Sequence, residues 1–335
     1  MPPLLTIKNL RVTFTNDGII NTVVKDINFA IEKGKITALV GESGSGKSIT
    51  ALSLLKLLPP NANATGEILF CNCQSSTNLL HLSSKKINTI RGNSISMIFQ
   101  EPMTSLNPVL TCGRQVIEVL VKHKKYSSKV AREITIQLFE KTGLPNPEQI
   151  LKRYPHQLSG GQKQRIMIAM AICCNPTLLI ADEPTTALDV TVQKNILSLI
   201  KNLQVQNSMA VLLITHDLGL VNDVADEIIV MQKGEIAEYG NAQQVLHYPQ
   251  HNYTKLLLSS RPGKPKKPKP DIVKSAVGNN SGQHIAASQA PALEVRNIVV
   301  QFKEKKNIWG KPLSYKTAVN GVSFCVAQNE TLGLV

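Results

Sequence analysis

Eight residues, Gly41-Glu42-Ser43-Gly44-Ser45-Gly46-Lys47-Ser48, carry the spacing G-x-x-x-x-G-K-[ST]. Glycines so placed let the backbone curl with successive N–H groups pointing inward, and such a cradle at a helix start holds phosphate. In that arrangement Lys47 reaches the β- and γ-phosphates and the Ser48 hydroxyl ligates Mg²⁺. Other residues suit the same chemistry. Asp182 and Glu183 end the apolar run Leu178-Leu179-Ile180-Ala181, and a carboxylate there can hold Mg²⁺ through water. His216 follows a second apolar run, and Gln100 follows a third. Ser159-Gly160-Gly161-Gln162 opens a helical stretch, where bare amides and the helix dipole favour an anion.

The elements that must hold these residues are strands alternating with helices. Ile36 to Val40 is an apolar, partly β-branched strand leading into the glycine loop, and Ile49 to Leu58 reads as the helix after it, stopped by Pro59-Pro60. Residues 4–14 alternate as an edge strand, and Val23 to Ile31 as a second strand. Gly66 to Phe70 and Ile95 to Phe99 are further strands. Arg114 to Lys125 and Lys129 to Thr142 carry helical spacing. The Leu158 motif opens a helix through Ala171, and Thr191 to Leu203 is an amphipathic helix. Leu178 to Glu183 and Ala210 to Thr215 read as buried strands; Glu227 to Gln232 and Glu235 to Tyr239 follow as a hairpin. This alternation predicts a mainly parallel α/β sheet.

The 335 residues suffice for one large domain or two. No apolar run approaches eighteen residues, so no transmembrane helix is expected. The first five residues lack the basic region and apolar core of a signal peptide. Six cysteines form no CxxC pair, and reduced thiols are the expectation. The net charge of +14 concentrates in Arg261 to Lys269 and Lys303 to Lys316. The first of these is Pro-rich and reads as a solvated linker, with no base-stacking aromatic pattern to suggest nucleic acid. Residues 260–291 as a whole read as a disordered interdomain linker.

Beyond the linker the chain repeats itself. Leu293 to Ile298 echoes Leu5 to Leu10, and Phe302 falls where Phe14 did. After a seven-residue insertion, Ala318 to Phe324 matches Val23 to Phe29, and the register holds until Val335 matches Val40. Self-similarity of this kind indicates a second copy of one unit. Forty-odd residues with an interrupted sheet are expected to be poorly ordered or to borrow a surface.

Leu158-Ser159-Gly160-Gly161-Gln162, taken with the phosphate loop, Gln100, the Asp182-Glu183 strand end and His216, resembles the nucleotide-binding subunit of an ABC transporter. The resemblance covers residue 4 to about residue 240 in order and spacing. It implies a P-loop NTPase of ABC type: a mainly parallel core sheet with helices, an antiparallel β subdomain and an α-helical subdomain. It implies ATP and Mg²⁺ as cofactors, with Ser48, Gln100 and Asp182 about the metal. Glu183 is then the base that polarises the attacking water, His216 contacts the γ-phosphate and positions Glu183, and Gln100 senses the metal and the water. Phe14 aligns with the aromatic that stacks on adenine. Ser159, Gly160, Gly161 and Gln162 face the γ-phosphate held by a second unit, and Ala187-Leu188-Asp189 matches the loop that crosses to it. Two units set head to tail would enclose two ATP molecules; one alone would bind ATP and hydrolyse it poorly.

The stretch Phe99 to Pro108 and the tail Tyr248 to Leu258 resemble the di- and oligopeptide importer branch, with Asn252 where that branch has proline. No cysteine lies between positions 175 and 324, so the iron–sulfur cluster of some members is not expected. The repeat resembles members with two cassettes in one chain, which serve peptide, peptide-antibiotic or glutathione uptake. The implied organisation is a cassette over residues 1–259, a linker over 260–291 and an incomplete second cassette over 292–335. The implied partners are two transmembrane permeases, a second nucleotide-binding domain and, indirectly, an extracytoplasmic peptide-binding protein, at the cytoplasmic face of the inner membrane. Two alternatives stay open. One is a remnant that binds ATP without forming a catalytic pair. The other is a soluble ABC protein acting on ribosomes or DNA, which the stretch after Gln100 disfavours.

Overall fold

The computed structural model describes residues 2–72, 75–100, 105–186, 188–259, 291–306, 312–328 and 332–333. The chain divides into two compact units, Met1–Pro265 and Lys266–Val335. The expected linker over residues 260–291 lies outside the described residues except for its last position, as do Ala187 and residues 101–104.

The first unit carries two sheets. Strands β1 (Leu5–Asn16), β2 (Ile19–Ile31), β4 (Ala62–Asn72) and β5 (Ser75–Asn78) form an antiparallel sheet in the order β2-β1-β4-β5. The expectation that residues 4–14 form an edge strand is therefore wrong. Alternation of buried and exposed side chains along β1 reports that its two faces differ, and says nothing about hydrogen bonding along its two edges.

The second sheet runs β10-β9-β3-β8-β7-β6 and comprises β3 (Ile36–Val40), β6 (Ile95–Ile98), β7 (Leu178–Asp182), β8 (Ala210–Thr215), β9 (Glu227–Gln232) and β10 (Glu235–Asn241). All its neighbours are parallel except β10 on β9. Strands β3, β7 and β8 are buried at every position, as unbroken apolar runs covered on both faces must be. Alternate residues of β3 serve opposite faces. Leu39 packs with the antiparallel sheet, while Ala38 and Val40 pack with Ile228, Val230 and the tail helices.

Helix α1 spans Lys47–Leu54, shorter than the expected Ile49 to Leu58, because Leu55 closes it and Lys56 turns to a φ of 51°. Helix α2 is Ser84–Ile90. A helical layer of α3 (Cys112–Lys124), α4 (Ser128–Lys141) and α5 (Pro147–Lys152) packs on α6 (Gly160–Ile172). Its apolar stripe, Val116, Leu120, Ala131 and Phe139, is continuous with Ile166 of α6 and with Ile196 and Ile200 of α7 (Val190–Asn207). Short helices α8 (Leu218–Val221), α9 (Ala242–His247) and α10 (Asn252–Ser259) close the unit. Among the described residues no helix is long and apolar enough to cross a membrane.

In the second unit, β11 (Leu293–Lys306) and β12 (Pro312–Val326) pair as an antiparallel hairpin. Its register copies that of β1–β2. Leu293 faces Val326 as Leu5 faces Ile31, Val295 faces Phe324 as Ile7 faces Phe29, and Ile298 faces Val322 as Leu10 faces Ile27. The irregularity is copied too. Asn9 and Asn297 both adopt a φ of 49°, and their amides donate to Asn28 Oδ1 and Ser323 Oγ, each at 2.8 Å. Leu10 and Ile27 are buried, whereas Ile298 and Val322 are more than 40% exposed.

Candidate functional site

The glycine loop leaves the buried end of β3 and enters α1. Gly41 must be glycine, because a Cβ there would stand 2.2 Å from the Met231 carbonyl oxygen. Gly46, at a φ of 104°, occupies the helix N-cap and supplies no side-chain cap, so the first-turn amides of α1 lack a capping acceptor. Lys47 is 5% exposed. Its ammonium donates to Gly41 O at 2.8 Å, Glu42 O at 2.7 Å and Ser45 Oγ at 3.3 Å. Burial holds its pKa below the ordinary lysine value, against the opposing pull of Glu183, Asp182 and Glu42. Glu42, Ser43 and Gly44 line the exposed crest of the loop.

Asp182 ends β7 two strands away, and Ser48 Oγ donates to its Oδ1 at 3.1 Å. Burial pushes the Asp182 carboxyl up to about 6. A hydroxyl and a buried carboxylate in contact are hard oxygen donors, and a carboxylate short of compensating charge is what a dication stabilises. The narrow cradle at Gly41, the uncapped helix start and this oxygen pair fit a phosphate chain with Mg²⁺.

Glu183 is the next residue, and it leaves the strand. Its φ is 45°, while its amide still donates to Ile214 O at 2.9 Å. A left-handed turn at a non-glycine residue is uncommon and costs about 1 kcal/mol or more. Three side chains meet the carboxylate. Gln100 Nε2 donates to Oε2 at 3.1 Å, Thr186 Oγ1 donates to the same oxygen at 3.0 Å, and His216 Nδ1 lies 3.1 Å from Oε1. Burial raises the Glu183 pKa, but the bonds from His216 and Thr186 outweigh it, and the carboxyl sits below its ordinary value. Bonding to the carboxylate requires a proton on Nδ1, which leaves Nε2 of a neutral ring as an acceptor. Asp217 shapes the turn that presents His216, donating its amide to Thr215 Oγ1 and accepting from the Gly219 amide at 2.6 Å.

Helix α6 starts with a capping box. Ser159 Oγ accepts from the Gln162 amide at 3.3 Å, and Gln162 Oε1 accepts from the Ser159 amide at 3.2 Å. Gly160 and Gly161 pack closely on the chain entering α7, since added Cβ atoms would lie 3.3 Å from Leu188 and 3.1 Å from Val192. Asp189 caps α7, its Oδ1 accepting from the Val192 amide at 2.9 Å. Among the described residues no hydrogen bond joins residues 159–162 or Asp189 to the phosphate loop. Phe14 stands half-buried on β1, opposite Asn21 and Ala62.

The structure thus brings Lys47, Ser48 and Asp182 together, and beside them Gln100, Glu183 and His216. Thr186 is a residue of this cluster that none of the motifs marks. Its signal was its place three residues after Glu183, one tight turn away, and the Thr186 amide closes that turn on Glu183 O at 3.2 Å.

Comparison with known proteins places these features in a family. The model of the ABC transporter family matches residues 24–186. The peptidoglycan transport ATP-binding protein YejF of Agrobacterium fabrum is 44% identical over 336 residues, covering 99% of this chain and 58% of its own length. The chain thus spans little more than half of that relative. The dipeptide transport ATP-binding protein DppD of Bacillus subtilis is 51% identical over 264 residues, covering 78% of each chain. An ATP-binding cassette solved as a dimer, in a post-hydrolysis state with ADP and Pi, superposes with a TM-score of 0.63 at 28% identity, over 71% of this chain and 98% of that one. The fold is that of an ABC-type P-loop NTPase, it carries the ATP-binding domain of that kind, and the chain belongs to the family of ABC transporter ATP-binding proteins.

Proposed function

We propose that this chain hydrolyses ATP to drive an importer of peptides or peptide-like substrates, from the cytoplasmic face of the inner membrane. The observation that carries the ATPase reading is the Glu183 carboxylate, kept ionised by His216 and Thr186 beside the Lys47–Ser48–Asp182 group. Lys47 and the loop amides neutralise and orient the phosphates. Ser48 and Asp182, with Gln100 nearby, would hold Mg²⁺, which supplies positive charge against the phosphate oxygens. Glu183 takes the proton of the attacking water, and His216 orients Glu183 through Nδ1 and accepts from the same water through Nε2. Phe14 stacks on the adenine.

Residues 159–162 and Asp189 complete the site of a second cassette, which fits the lack, among the described residues, of hydrogen bonds from them to their own phosphate loop. The peptide assignment rests on the similarity to transport proteins named for dipeptide and peptidoglycan, and on the stretches around Gln100 and Tyr253. Its partners would be two permease subunits, with the peptide-binding protein acting outside the membrane. The copied register and asparagine bulge of β11–β12 support reading residues 292–335 as the opening strands of a second cassette after a linker.

Glu183→Gln tests the central claim. In the assembled transporter the variant should bind ATP normally and lose turnover; surviving turnover would show that another group serves as the base.

A further inference from the structure

Tyr253 is the aromatic of the tail motif, 211 residues from the phosphate loop, and it touches that loop. Its hydroxyl accepts the Glu42 amide at 3.2 Å. The ring is 6% exposed and belongs to the core cluster of Ala38 and Val40, the β3 residues that lead into Gly41. The tail is fastened before it reaches this point. Glu238 of β10 accepts the Gln250 amide at 2.8 Å and the His251 amide at 3.2 Å, and His251 Nδ1 accepts the Tyr253 amide at 3.2 Å. We propose that Tyr253 is a positioning residue for the phosphate loop, holding the Glu42 peptide in place so that the loop is already formed when nucleotide phosphates arrive. The inference rests on reading that loop as the ATP site.

The loop needs a fixed point outside itself. The three donors of the Lys47 ammonium are taken up by Gly41 O, Glu42 O and Ser45 Oγ. Turning a donor toward a phosphate releases one of these acceptors and loosens the shoulder that Lys47 had braced. Gly41 is confined by the Met231 carbonyl, but Glu42 stands on the exposed crest. The Tyr253 hydroxyl grips Glu42 at its amide, the opposite end of the residue from the carbonyl that Lys47 holds, and does not compete with the nucleotide for Lys47.

The test uses the full chain with ATP and with ADP as probes, by calorimetry well below the melting temperature. Tyr253→Phe keeps the ring in the core and removes only the hydroxyl. It should weaken both nucleotides about three- to tenfold, the range for one lost hydrogen bond, and shift Tm by no more than a few degrees. In the permease-bound enzyme KM should rise while kcat stays within about twofold. Leu258→Ala opens a cavity in the same cluster and should lower Tm more, with nucleotide affinity unchanged. Wild-type affinity in Tyr253→Phe would overturn the proposal, as would Leu258→Ala weakening ATP equally. Failure of the unaltered chain to bind ATP at all would instead overturn the ATP-site reading, and this inference with it.

Discussion

Ser48 Oγ and Asp182 Oδ1 meet at 3.1 Å, joining the first turn of the helix after the glycine loop to the end of a strand two places away in the sheet. Burial pushes the Asp182 carboxyl up to about 6 against the opposing pull of the Ser48 bond, compared with about 3.9 for aspartate in an unfolded chain. A group raised on folding contributes stability that is complete below the unfolded value and is lost as pH rises through the folded one. At pH 7.5 Asp182 therefore weighs against the nucleotide-free fold. Asp182→Asn keeps an acceptor for Ser48 and should raise the nucleotide-free Tm by several degrees at pH 7.5, a gain that shrinks toward pH 4.5. The same variant should lose most of the extra stabilisation that Mg²⁺ gives to bound ATP. Thermal denaturation with ATP, with and without Mg²⁺, at both pH values checks both outcomes.

Glu183→Gln keeps the shape of the side chain and removes its basicity. ATP affinity should stay within about twofold of wild type, and single-turnover hydrolysis should fall by roughly a hundredfold or more, the scale of general-base catalysis. Rapid-quench measurement with the assembled transporter reads both.

Thr186→Val removes one donor to Glu183 at nearly constant volume. That bond holds the carboxyl pKa down, so its loss moves the pKa up. The acid limb of the turnover–pH profile should shift to higher pH by about one unit or less, the scale of one hydrogen bond, while turnover at pH 7, above that limb, should change little. An unmoved acid limb would show that Thr186 only shapes the turn.

Ser159→Ala deletes the capping oxygen of α6 and should cost about 1 kcal/mol of stability. ATP binding to the isolated chain should be unaffected, while turnover in the assembled transporter should fall at least tenfold. Equal effects on both would place Ser159 in its own chain's site.

The phosphate loop and the helix start at Ser159 are legible because each is a local pattern whose residue types answer a backbone need within a single turn; the capping box that Gln162 closes there is a finding of the structure. The buried strands were legible as unbroken apolar runs. The helices α2, α5, α9 and α10 are six to eight residues long and too short to show a period. Asp189 matches a loop that crosses between subunits, and in its own chain it caps α7. In the sequence Tyr253 is only part of the tail that resembles the peptide branch, since a contact across 211 residues leaves no trace in local spacing. The left-handed turn at Glu183 was equally hidden: nothing in Ala181-Asp182-Glu183 tells a strand that continues from one that turns away.

Three stretches far apart in sequence converge on the Glu183 carboxylate: the exit of β6 through Gln100, the turn at Thr186 and the exit of β8 through His216. One pair of oxygens therefore works as a coincidence detector. On the proposed mechanism the carboxylate is aimed at the water only when all three donors are in place, so a movement of the helical layer that draws Gln100 away would be felt as a misaimed base.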